Sequence, residues 1–189
     1  VNEGIIPALV FRLETHDLAT MPPQFKRAAA MIFRSLCKHS VTTHGVIREG
    51  GLHVLVDLVL VTAADDLANQ YLTAEHALAA MCSMVDVSST RASATEAQPI
   101  QKRMSEDEVA RLELIVERGI LPALGKVVSM HGEVSRGTIV FAIRLLARIS
   151  QLANLRPLFF TQARMAVPEP LDPSSDHAAS SSSGKLAKA

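Results

Sequence analysis

The sequence predicts an all-α chain built as a stack of helical repeats, and three observations carry that expectation. A glycine-led phrase occurs three times: Gly4-Ile5-Ile6-Pro7-Ala8-Leu9, Gly50-Gly51-Leu52-His53-Val54-Leu55 and Gly119-Ile120-Leu121-Pro122-Ala123-Leu124. After each comes a longer apolar-periodic stretch ending on a related phrase, Leu36 to Ser40, Leu78 to Cys82 and Leu146 to Ser150, whose last residues lie 42 and then 68 positions apart. The composition agrees: 48% of the 189 residues are apolar, yet there are six Phe, one Tyr and no Trp. Such a core of Leu, Val, Ile, Ala and Met suits helices packed on helices rather than a sandwich or barrel, where β-branched and aromatic residues dominate.

Each junction has a physical reason. Glycine ends one helix where φ must turn positive, and proline is tolerated in the first turn of the next because the N–H it lacks would have no partner there. The long helices are expected over about Gln24 to Ser40, after the Met21-Pro22-Pro23 break, Asp66 to Val85, and Val134 to Leu152. Asp65-Asp66 reads as a helix start, where acidic residues favour the dipole. In the last helix Ile139, Ile143, Leu146 and Ile149, with Leu145 and Leu152 beside them, predict one continuous apolar face that must be buried. Arg144 and Arg148 share a different face, a like-charge pair that costs an isolated helix roughly a few tenths of a kcal/mol.

The 42-residue period and the longer second step place an insertion of about 26 residues before the third copy. Residues 87–103, rich in Ser, Thr, Ala and Gln and containing Pro99, read as an exposed loop. Ser105 then caps a helix with Glu108 at the third helical position of a capping box, and Val109, Leu112, Ile115 and Val116 carry its apolar face to Gly119. Val41 to Glu49 is its counterpart in the second copy. The copies therefore span about 1–40, 41–86 and 104–152, and 153–163 opens a fourth that Val167-Pro168-Glu169-Pro170 cuts short. Residues 164–189, Pro-, Ser- and Ala-rich, have no core face and are expected to be disordered. The chain opens on Val1 directly at a junction, which reads as a piece of a longer protein.

A unit of about 42 residues with one short and two longer helices, a Gly-(Gly)-Ile-Pro-x-Leu-Val junction and an Ala-Leu-x-x-Leu-Ser-like phrase closing the third helix resembles the armadillo repeat. The resemblance covers residues 1–163. It implies a right-handed superhelical solenoid of three-helix repeats, with third helices lining a concave groove. In the importin-like branch the third helix presents a Trp and, four positions later, an Asn. The matching pairs here are Arg34 and Lys38, His76 and Ala80, Arg144 and Arg148, so the resemblance does not imply nuclear-signal binding of that kind. It implies instead that Arg34, Lys38, His76, Arg144 and Arg148 form a basic ladder on the concave surface. Arg would supply bidentate contacts and Lys a point charge to an acidic or phosphorylated segment. The competing reading is a solvated set of side chains, or one paired with acids of a neighbouring helix.

Other chemistry finds little support. Nineteen basic and nineteen acidic residues give zero net charge, without the bulk basic footprint of a nucleic-acid binder. Cys37 and Cys82 read as small buried hydrophobes in a reduced compartment. Met31, Met81, Met84 and Met130 read as core fillers. The seven histidines lack metal-ligand spacing, there is no phosphate loop or nucleophile elbow, and the apolar run 52–64 is too short to span a bilayer. The expectation is a non-enzymatic, cytoplasmic scaffold without cofactor or metal, working in a larger complex. Its groove would bind an acidic or extended segment, a description that acidic tubulin tails would fit. An alternative is a structural subunit of a cytoskeletal or ciliary assembly, packed through its convex face and loops. A third is a segment of a chaperone of the myosin-chaperone type.

Overall fold

The computed structural model describes residues 4–86 and 104–152, together with Pro157. The expected insertion at 87–103, the fourth copy over 153–163 and the tail at 164–189 lie outside the described residues, Pro157 apart. All regular structure among the described residues is helical: α1 (Ile5–Thr15), α2 (Pro23–Leu36), α3 (Ser40–Arg48), α4 (Gly51–Asp65), α5 (Leu67–Asp86), α6 (Glu106–Glu117), α7 (Ile120–Ser129) and α8 (Arg136–Ser150).

The corners form as the glycine argument requires at two of the three junctions. Gly50 has φ 85° and Gly119 φ 79°, the left-handed region that other residues avoid. Gly4, at φ −92°, is right-handed and merely precedes α1. Pro7 and Pro122 both fall in the first turn of their helices. Ser105 caps α6 as expected, accepting from the Glu108 N–H at 3.2 Å. The Glu108 carboxylate is buried and placed 3.4 Å from Arg148 of α8. Asp66 caps α5 through the Asn69 N–H at 3.3 Å, whereas Asp65 is the last residue of α4. Two lysines answer the negative end of α4: buried Lys26 of α2 lies 3.4 Å from Asp65, and Lys126 of α7 donates to the Ala63 carbonyl.

Helix α5 is the centre of the molecule. It packs against α2 on one side, α8 on the other and α4 behind, while α7 joins α4 to α8 and α1 rests on α4. Leu78, Ala80, Met81 and Met84 of α5 have no exposure, nor do Leu55, Leu58 and Val59 of α4. Each large side chain so buried contributes about 1.5–3 kcal/mol. The two flanking helices bury only one stripe each: Lys26, Ala29, Ala30 and Phe33 on α2, and Thr138, Ala142, Leu145 and Ile149 on α8.

The α8 stripe corrects the sequence expectation. The helical period holds, but the buried face is turned by one residue, so that Ile143 is half exposed and Ile139 and Leu146 are only partly covered. Thr138 enters the core instead, its hydroxyl bonded to the Ser135 cap and to the Tyr71 carbonyl at 3.4 Å. Of the apolar face that periodicity selects, Leu145, Ile149 and Leu152 are buried, and only Ile143 is turned into the open. Met31 is similarly corrected: it lies on the outer side of α2 and is half exposed, while Met81 and Met84 are in the core. Helix α2 also stops at Leu36 rather than Ser40, because Cys37 and Lys38 form the turn from which α3 starts.

Candidate functional site

Helices α2, α5 and α8, which lie side by side, carry an alternation of charge. Helix α2 has Lys26, Arg27 and Arg34 and no acid; α8 has Arg136, Arg144 and Arg148 and no acid; α5, between them, has Glu75 and Asp86. The acids of the middle helix meet the bases of its neighbours at two points.

At the first, Arg34 Nη1 lies 3.3 Å from Glu75 Oε1 and 2.8 Å from His76 Nδ1. Its guanidinium reaches over α5 to the Phe141 ring of α8, 5.8 Å from the centroid, where a cation is attracted by the ring face. The same Glu75 carboxylate accepts from the hydroxyl of Ser135, the N-cap of α8, and therefore sits at the positive end of that helix. Gly137 makes room for it, since a Cβ there would come within 2.9 Å of the carboxylate. Burial, reinforced by the Arg34 charge and opposed by Glu75, holds His76 below its ordinary range. The ring is therefore a neutral acceptor for Arg34 at neutral pH.

At the second point Asp86, the last residue of α5, receives two guanidiniums. Arg144 Nη2 donates to one carboxylate oxygen and Arg148 Nη2 to the other at 2.9 Å. Arg148 is additionally 3.4 Å from Glu108, so it is shared between two acids.

Between these two points lies a cleft of about 240 Å³, formed where the end of α2 and the start of α3 face α5 and α8. Its floor holds Cys37, Cys82 and Phe141, and its rim Lys38, Ser83, Asp86 and Arg144. Both cysteines are free and buried, and burial pushes each thiol up to about 12. They serve as apolar floor rather than nucleophiles. Lys38 is exposed at the rim and, among the described residues, enters no ion pair.

The five basic residues thus divide. Arg34 and His76 are bonded to each other at one end; Arg144 and Arg148 share Asp86 at the other; Lys38 stands at the cleft with Arg144, in the turn after α2 rather than on a helix. Ala80, the partner position of His76, is fully buried. Reading the bases alone misses Glu75, Asp86, Glu108 and Phe141. The signal for the two acids of α5 is present in the sequence: they are the only carboxylates on α2, α5 or α8. No group of three metal-ligating side chains occurs among the described residues, and no described helix is long and apolar enough to cross a membrane. The chain matches no protein-family model, no curated protein and no solved structure.

Proposed function

We propose that the chain is an interaction scaffold of the armadillo type, a superhelical stack whose third helices α2, α5 and α8 line the binding face, and that this face receives an acidic, extended protein segment. The observation that carries the reading is the cleft: Lys38, which enters no ion pair among the described residues, and an exposed Arg144 flank a recess of about 240 Å³ with an apolar floor. Among the described residues the cleft lining carries two cations, Lys38 and Arg144, against one acid, Asp86. Ser40, which opens α3 at the rim, adds the positive end of that helix. A carboxylate side chain is the complement in charge and size. The neighbouring Arg34, bonded to both Glu75 and His76, contributes with His76 to orienting the segment.

Anisotropy titration of the 189-residue chain with fluorescein-labelled hexaglutamate, against hexaglutamine, tests this. Binding of hexaglutamate alone, weakening as salt rises, is expected; equal behaviour of the two peptides overturns the reading.

A second reading, packing into a larger assembly, is supported by the outer faces of the two flanking helices. Phe25, Met31 and Ile32 on α2, and Val140 and Ile143 on α8, are large apolar side chains left in the open. Sedimentation velocity distinguishes this: a concentration-dependent rise in mass supports end-face packing, and a constant monomer speaks against self-association through those faces.

A further inference from the structure

The cleft contains its own occupant. Asp86 lies on the rim and already holds Arg144, one of the two cations an incoming carboxylate would seek. The two arginines on Asp86 are not equivalent. Arg148 is half-buried and stands between Asp86 at 2.9 Å and Glu108 at 3.4 Å, so it is fixed from two sides. The Arg144 side chain is 55% exposed, and Asp86 is the one carboxylate with which it makes an ion pair among the described residues. Turning Arg144 away from Asp86 leaves that carboxylate still bonded to Arg148, so it keeps a cationic partner, one that it shares with Glu108. The pair at Arg144 is a partly exposed bridge, a class worth little in water and open to competition.

We infer that Asp86 is an internal competitor for Arg144, an autoinhibitory carboxylate that the acidic side chain of a bound segment displaces while Arg148 keeps Asp86 in place. This rests on the acidic-segment reading above and adds to it a regulatory contact: the cleft has a resident anion, and affinity is set by the difference between the two carboxylates. Lys38, which has no acidic partner among the described residues, supplies the first contact; Arg144 supplies the second only after it has left Asp86. Removing the resident charge must therefore strengthen binding, the opposite of what removing a contact residue does.

The test is the hexaglutamate titration with wild type, Asp86→Asn and Asp86→Asn/Arg144→Gln, each checked for a cooperative melt by circular dichroism, with Asp86→Ser in reserve should the Asn variant not fold. Asp86→Asn is expected to bind about twofold to fivefold more tightly, and the added Arg144→Gln change to abolish the gain. Wild type and Asp86→Asn binding hexaglutamate equally would overturn the competitor and leave the acidic-segment reading standing. Failure of both to bind it would overturn the two together.

Discussion

Arg34 on α2 and Glu75 on α5 meet at 3.3 Å, and through the Ser135 hydroxyl the same carboxylate also grips the start of α8. That one acid therefore ties α2, α5 and α8 together at one end, while Asp86 at the other end joins α5 to α8 through Arg144 and Arg148. Both acids belong to the central helix and answer bases of the flanking helices.

Glu75→Gln should therefore destabilise the fold by about 1–3 kcal/mol, because it leaves the Arg34 guanidinium partly buried without its charge partner and weakens the N-terminal anchor of α8. Urea denaturation measures this. A double-mutant cycle with Arg34→Met should return a favourable coupling, since Met retains the side-chain bulk while losing the charge.

Stability should fall on mild acidification through His76. Its pKa is lowered from 6.5 in the folded chain, chiefly by burial and then by the Arg34 charge, so the unfolded chain binds the proton more readily. The contribution is complete above 6.5 and is lost as pH drops from there toward the folded value. In His76→Gln, whose amide oxygen still accepts from Arg34, the difference in urea midpoint between pH 7.5 and pH 5.5 should be smaller than in wild type.

Three glycines should respond to alanine in different ways. At Gly51 the new Cβ would lie 2.3 Å from Val46 Cγ1 and 2.9 Å from the Val46 carbonyl oxygen, so overpacking of about 1–3 kcal/mol is expected. At Gly50 the positive φ alone costs roughly 1–2 kcal/mol. Gly125, exposed within α7 with nothing near its added methyl, should gain about 0.5–1 kcal/mol. Thermal melts of the three variants check the order.

Cys37 and Cys82 should resist modification by a disulfide reagent at pH 8 until the chain unfolds. Burial pushes both thiols up to about 12, leaving little thiolate. The labelling rate should track the fraction unfolded as urea is raised, and rapid labelling in buffer would show that the cleft floor is open.

Much of the fold is legible in the sequence because its signals are local. The junction glycines, the first-turn prolines, the Ser105 cap and the helical period each act within a few residues, and Gly50, Gly119 and Ser105 do what their types require. The orientation of α8 is not local. Periodicity marks two adjacent apolar stripes, and only packing on α5 decides that Ala142 and Leu145 go inside while Ile143 stays out. The cleft depends on the same information: Lys38 and Arg144 are visible as cations, but that Arg144 is held by Asp86, and Lys38 by no acid among the described residues, follows from which helices lie side by side.

The most direct measurement compares hexaglutamate affinity in Lys38→Glu and Arg12→Glu, two variants with the same change in net charge. Lys38 stands at the cleft, whereas Arg12 is exposed on α1. The account predicts that Lys38→Glu weakens binding at least about tenfold, a change of roughly 1.4 kcal/mol, with Arg12→Glu close to wild type. Equal losses in the two variants would contradict it, because binding would then follow overall charge rather than the cleft between α2, α5 and α8.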